Sequence, residues 1–305
     1  MSRLDAGLQR SPVNGIELAW DSHGDETAEA ILLIAGLGTQ MVRWTPAFCR
    51  DLAARGFRVI RFDNRDVGAS THLVEAGVPD LAALMAGRPL TLPYSLQDMA
   101  ADALGLLDHL GIDRAHVVGR SMGGMIAQVL ASEYPQRVRS LTSIMASSGN
   151  PALPPPAPQV MALLTAPAAD PALDLEGHVT QRLALARSIA GSAQAFDEAA
   201  QRELVLKELQ RGWNPAGFMR QLAALACAGD RRARLASIQL PTLVVHGSDD
   251  PLVPAACGED TARSIPDAEW LLIPGMGHDL PPACQPQVLA AIERTARRCQ
   301  GRQVV

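Results

Sequence analysis

The stretch Ala115-His116-Val117-Val118-Gly119-Arg120-Ser121-Met122-Gly123-Gly124 decides how the rest of the chain is read. Its first four residues are an apolar run of strand type and residues 125–133 are helix-like, so a G-x-S-x-G segment falls between a strand and a helix. A serine at so sharp a turn sits in strained backbone, and its neighbours must be nearly free of side chain. Gly119, Gly123 and Gly124 meet that demand. The turn lifts the Ser121 hydroxyl above the sheet and aims the Met122 backbone N–H into the same space. One turn thus offers a nucleophile and half of an oxyanion hole.

Upstream, residues 15–20 alternate apolar and polar side chains, as a half-exposed strand of an edge hairpin does. Residues 30–34 are a continuous apolar run, expected of a strand covered on both faces, and end in Ala35-Gly36-Leu37-Gly38. Residues 44–55 predict a helix, with Trp44, Phe48 and Leu52 four apart and Gly56 as its stop. Residues 58–62 are the next strand and run into the polar loop 63–70, whose charges are expected to pair with one another. A connector rich in Gly, Pro and Leu follows, and Ser95 then caps an amphipathic helix through Leu110.

Downstream, residues 138–145 predict another strand, after which the regularity breaks. Gly149-Asn150-Pro151 and Pro154-Pro155-Pro156 cannot continue a helix or a central strand. Helices are predicted at 158–165, 175–189, 197–211 and 215–228 before strands return at 242–246 and 270–273, with helices at 255–265 and 286–298. The fold class is therefore α/β: a mostly parallel central sheet of about eight strands flanked by helices, with a helical cap inserted after strand 6. Residues 1–148 and 230–305 are assigned to the core and 149–229 to the cap.

The chain has 305 residues, 48% hydrophobic and 19% charged, with a formal net charge of -5. Without a basic stripe, nucleic acid is not an expected partner. No apolar stretch approaches the roughly 20 residues of a membrane span, and residues 1–15 lack the apolar core of a signal peptide. The five cysteines, Cys49, Cys227, Cys257, Cys284 and Cys299, show no metal-binding spacing, so idle thiols in a cytoplasmic protein without metal are expected. A homo-oligomer is compatible with this composition. Gly36-Leu37-Gly38 lacks the third glycine of a dinucleotide fingerprint, since Met41 stands there, and no cofactor is expected.

Ser121 needs a base to become a nucleophile. Catalytic groups in open α/β sheets gather at the carboxyl ends of strands. His278, in Pro274-Gly275-Met276-Gly277-His278, lies just past the final strand. His23, His72, His109, His116 and His178 fit packing or surface roles, and His246 fits a structural one. An acid must hold the imidazole in its tautomer, and Asp249 and Asp250 follow the penultimate strand. Asp250 is taken as that acid, with Asp249 as an N-cap or loop brace. The Leu37 amide, at the end of the adjacent predicted strand, is the expected second oxyanion donor beside Met122.

These motifs in this order resemble the α/β-hydrolase fold superfamily over nearly the whole chain, the cap excepted. Within it, Val59-Ile60-Arg61-Phe62-Asp63-Asn64-Arg65-Asp66-Val67-Gly68-Ala69-Ser70 resembles the aclacinomycin-methylesterase-like carboxylesterases. In that family the acid is the Asp immediately before Pro, which maps onto Asp250. The chain departs from the superfamily pattern at Ala35-Gly36, where His-Gly is usual.

The resemblance and the triad imply a serine hydrolase that cleaves small to medium, apolar carboxylic esters. The cap residues Met161, Leu163, Leu164, Leu183, Leu185 and Ile189 are expected to line an apolar pocket or to bury the cap's own core. An acyl transferase or a cofactor-free perhydrolase would use the same triad. A ligand-binding fold-mate without catalysis would be expected to lack a triad member, and a dehalogenase would need Asp at position 121.

Overall fold

The computed structural model describes residues 7–80, 88 and 91–299. The first six residues of the N-terminal segment and residues 81–87, 89 and 90 of the Gly-, Pro- and Leu-rich connector lie outside the described residues. Eight strands form one sheet in the order β1-β2-β4-β3-β5-β6-β7-β8. They are β1 (Gln9–Val13), β2 (Ile16–His23), β3 (Glu29–Ile34), β4 (Phe57–Phe62), β5 (Ala115–Arg120), β6 (Val138–Ile144), β7 (Thr242–Gly247) and β8 (Glu269–Ile273). The pairs β1–β2 and β2–β4 are antiparallel, as an edge hairpin requires. The other pairings are parallel.

Ten helices of the described residues take labels in chain order: α1 (Pro46–Ala53), α2 (Leu96–His109), α3 (Met122–Glu133), α4 (Pro158–Thr165), α5 (Leu175–Ile189), α6 (Glu198–Arg211), α7 (Pro215–Ala226), α8 (Arg232–Leu235), α9 (Ala255–Ser264) and α10 (Gln285–Arg297). A parallel strand covered on both faces must be apolar at every position, and β3 shows the consequence. Leu32 and Ile34 join the core on the side of α2 and α3, among Met99, Leu106, Ile126 and Leu130. Ile31 and Leu33 join the opposite core, with Phe48 and Leu52 of α1 and Val288 and Ile292 of α10. Each such side chain contributes roughly 1.5–3 kcal/mol on burial.

Two elements differ from expectation in instructive ways. Residues 41–43 form a 3-10 turn and Trp44 leaves helical geometry, so α1 begins only at Pro46, capped by Thr45, whose hydroxyl accepts from the Phe48 N–H at 3.2 Å. The four-residue spacing of Trp44 and Phe48 reflects a shared core contact, with ring centroids 5.2 Å apart, rather than one helix. Ser95 does cap α2, in a reciprocal box with Asp98.

The second difference is the loop after β4. It holds Arg65 as the only cation between Asp63 and Asp66, so mutual pairing would leave a buried carboxylate unmatched. Arg65 instead pairs with Asp102 of α2, both contacts at 2.6 Å. Asp63 takes Arg211 at 2.6 Å, and Asp66 takes Arg220 through two bonds of 2.8 and 2.7 Å. Both of those arginines belong to the helices between β6 and β7, so the loop clamps that region to the sheet.

From β3 the chain steps to β4 on one side and then returns across β3 to β5 on the other. The loops after β3 and β5 therefore diverge and open a crevice at their carboxyl ends.

Candidate active site

The crevice is built from backbone first. Ser121 adopts φ 55° and ψ -126°, a conformation favourable only to glycine, and is held there by its N–H, which donates to Ile144 O at 2.8 Å. A Cβ on Gly119 would collide with the Gly123 carbonyl, and one on Gly123 with the Ile34 carbonyl. The turn therefore nests against β3. Ile34 pairs with Gly119 in register, so the loops after β3 and β5 leave the sheet side by side. Gly36 lies against the serine itself, and Leu37 follows it at the rim of the same cavity. Met122 begins α3, so its N–H is one of the helix-terminal amides that lack a partner within the helix.

The structure brings Ser121, Asp250 and His278 together from three strand ends. His278 Nε2 is 2.9 Å from Ser121 Oγ, and His278 Nδ1 is 2.7 Å from Asp250 Oδ2. With a neutral imidazole, Ser121 Oγ–H donates to Nε2 and Nδ1–H donates to the carboxylate. Asp250 Oδ1 accepts from the Leu252 and Val253 amides at 2.9 and 2.8 Å. Burial would raise the Asp250 pKa, but the His278 charge, side-chain bonds from His246 and His278 and the Val253 amide outweigh it. Its carboxyl is held well below the usual carboxylate range.

Asp249 points elsewhere: its carboxylate accepts from Ser192 Oγ at 2.5 Å and Ser248 Oγ at 2.8 Å, bracing the loop against the segment after α5. The His278 loop is tied to the same segment, with the His278 N–H donating to Ile189 O at 2.8 Å and the Ala193 N–H to Gly275 O at 2.8 Å. The inserted helices thus help hold the histidine as well as cover it.

A cavity of about 410 Å³ opens above Ser121 and His278. Met161, Leu164, Leu185 and Ile189 line it from α4 and α5, while Leu163 faces a neighbouring cavity of about 540 Å³ and Leu183 lines neither. The larger cavity is not lined by Ser121, but the two share Leu164, Arg182, Leu185 and Phe218 as a common wall.

Two features escaped sequence reasoning. His246, given a structural role, places Nε2 3.4 Å from Asp250 Oδ2 while donating to Val253 O at 2.7 Å. Its position four residues before Asp250 was the available signal. Arg43 and Arg182 line the cavity above Ser121 beside Arg120, and nothing in their local sequence pattern marks them.

A sheet of this order with a serine turn at its switch point has the architecture of the α/β hydrolases. The chain belongs to that family: the model described as alpha/beta hydrolase fold matches residues 29–281. It is 31% identical over 288 residues to a rhodomycin D methylesterase of Streptomyces peucetius, covering 88% of this chain and 91% of the relative. It is also 31% identical over 265 residues to a putative carbamate hydrolase of Variovorax paradoxus, covering 86% and 89%. Among solved structures, a thermophilic esterase from Thermogutta terrifontis aligns with a TM-score of 0.67 and 26% identity over 95% of this chain and 99% of that one. No helix among the described residues is long and apolar enough to cross a membrane.

Proposed function

We propose that the protein is a serine hydrolase that cleaves carboxylic esters through an acyl-enzyme on Ser121. The observation that carries this reading is the unbroken chain from Ser121 Oγ through His278 to Asp250, with spacings of 2.9 and 2.7 Å, at the floor of a cavity. Relatives named as a methylesterase and an esterase support the choice of ester.

In this mechanism His278 Nε2 takes the Ser121 proton as Oγ attacks the ester carbonyl. The carbonyl π electrons move to oxygen, and the amides of Met122 and Leu37 receive that charge. Collapse of the intermediate expels the alkoxide, which takes the proton from His278 and leaves as the alcohol. Water then repeats the sequence: His278 accepts its proton, hydroxide attacks the acyl carbon, and Ser121 Oγ is reprotonated as the acid departs. Asp250 stays ionised throughout and stabilises the imidazolium.

The test is Ser121→Ala against short p-nitrophenyl esters. Turnover should vanish while the far-ultraviolet circular dichroism stays unchanged; undiminished hydrolysis by that variant would remove Ser121 from the mechanism. Measuring peracid formation and acyl transfer to alcohols on the same ester decides whether water is the acceptor.

A further inference from the structure

Three arginines, Arg43, Arg120 and Arg182, line the cavity that contains Ser121, and no carboxylate lines it among the described residues. Arg43 is satisfied: its guanidinium meets Glu208 through two bonds of 2.8 and 2.7 Å. That leaves Glu208 fully engaged. Arg120 and Arg182 make no hydrogen bond or ion pair among the described residues. Arg120 only stands over the Trp44 ring, 5.8 Å from its centroid.

The rest of the molecule shows how unusual this is. Arg61 is paired with Asp21, Arg65 with Asp102, Arg211 with Asp63 and Arg220 with Asp66, each by a carboxylate within 2.7 Å. Buried Arg231 is held by backbone carbonyls and Gln128. Arg120 and Arg182 are half-buried in the cavity wall and have no directly bonded carboxylate among the described residues. Burial and the neighbouring Arg43 push Arg120 down to about 10, with the more distant carboxylates of Asp279 and Glu208 opposing, so it is still cationic at neutral pH. Arg182 is lowered by burial and Arg43 as well, with Glu208 opposing. Both unpaired cations therefore flank Arg43, and both face the space where substrate must sit.

We propose that the substrate is an ester bearing a carboxylate, which Arg120 and Arg182 receive in the cavity above Ser121. This rests on the ester-hydrolase reading and narrows it: the apolar wall from α4 and α5 takes the carbon skeleton, and the guanidinium wall takes the charge. A carboxylate suits the planar fork of arginine and supplies the directly bonded partner that Asp279 and Glu208, acting on these two arginines only from a distance, do not.

The experiment uses full-length Ser121→Ala protein titrated calorimetrically at pH 7 with dimethyl glutarate, monomethyl glutarate and acetoxybutyrate. The second ligand carries its charge on the acyl side and the third on the alcohol side. At least one anion should bind about tenfold or more tighter than the neutral diester, the range of a charge-assisted bond. Adding Arg120→Gln or Arg182→Gln should shrink that ratio, and Arg182→Lys should keep part of it. Equal binding of neutral and charged ligands, or a ratio that survives both Gln substitutions, overturns the proposal.

Turnover of the same three esters by the wild-type enzyme separates the two readings. Hydrolysis without preference for either anion sinks the carboxylate site and leaves the esterase standing. Selective anion binding with no hydrolysis of any ester does the reverse.

Discussion

Gly36 approaches Ser121 so closely that a Cβ added to it would lie 3.2 Å from the serine Cβ and 3.3 Å from the Arg120 carbonyl oxygen. The contact joins the loop after β3 to the turn after β5, and it sets the position of the Leu37 amide relative to the nucleophile. Gly36→Ala should fold, because a shift of a few tenths of an ångström relieves the contact. It should lower kcat by about tenfold, since misplacement of catalytic groups by even 1 Å costs on the order of a hundredfold. Gly123→Ala has no such relief: its Cβ meets the Ile34 backbone carbonyl, and the fold itself should weaken. Paired melting curves and ester kinetics check both outcomes.

The adjacent pair Asp249 and Asp250 gives a sharper comparison. Asp250 is buried and shared between His278 and His246, whereas Asp249 is exposed and holds two serine hydroxyls. Asp250→Asn should reduce kcat by roughly 10³–10⁴, the cost of presenting the wrong imidazole tautomer to the serine. Asp249→Asn should change kcat by less than about threefold and act on loop stability, where surface changes lie within roughly 0.5 kcal/mol. Equal losses in the two variants would mean that the acid has been misassigned.

Ser121 sits at φ 55°, in the region that favours glycine. A non-glycine residue in such a region costs roughly 1–3 kcal/mol, partly offset by the entropy that glycine loses on folding, about 0.5–1 kcal/mol. Ser121→Gly should therefore be inactive yet more stable by about 1 kcal/mol, read as a rise of roughly 2 °C in thermal midpoint. Ser121→Ala keeps the same backbone penalty and should show no gain. Identical midpoints for the two variants would show that the turn is not strained.

These contrasts also mark what the sequence could convey. Strand runs such as Ile31-Leu32-Leu33-Ile34 are legible because parallel burial demands apolar residues without a break. The serine turn is legible because only glycine tolerates its crowding, and His278 and Asp250 because loops at strand ends are few. What stayed hidden depends on partners distant in sequence. Asp66 and Arg220 are separated by 154 residues, and Arg43 and Glu208 by 165, so no local pattern links them. Nor does periodicity reveal that Arg182 on α5 has no bonded carboxylate while Arg43 beside it does.

The Asp66–Arg220 pair shows what those distant partners do. It is buried, doubly hydrogen-bonded and supported by the Tyr94 hydroxyl, which donates to Asp66 Oδ2 at 2.8 Å. Removing one partner strands the other charge, so Arg220→Met and Asp66→Asn should each cost about 3–5 kcal/mol, and the double variant less than their sum. Burial would raise the Asp66 pKa, but the bonds from Arg220, the Leu73 amide and Tyr94 outweigh it and hold it below its ordinary value. A carboxylate depressed in this way contributes fully above its unfolded pKa of about 3.9 and loses that contribution as pH falls towards the folded value. Wild type and Asp66→Asn should therefore melt far apart at pH 7 and draw together progressively below about pH 4. Because Arg220 sits on α7, whose Phe218 and Leu222 line the reaction cavity, both single variants should also raise KM for long-chain esters more than for acetate esters. A constant stability gap from pH 7 to pH 3, or KM values that rise equally for all chain lengths, would mean that the pair does not set the position of these helices over Ser121.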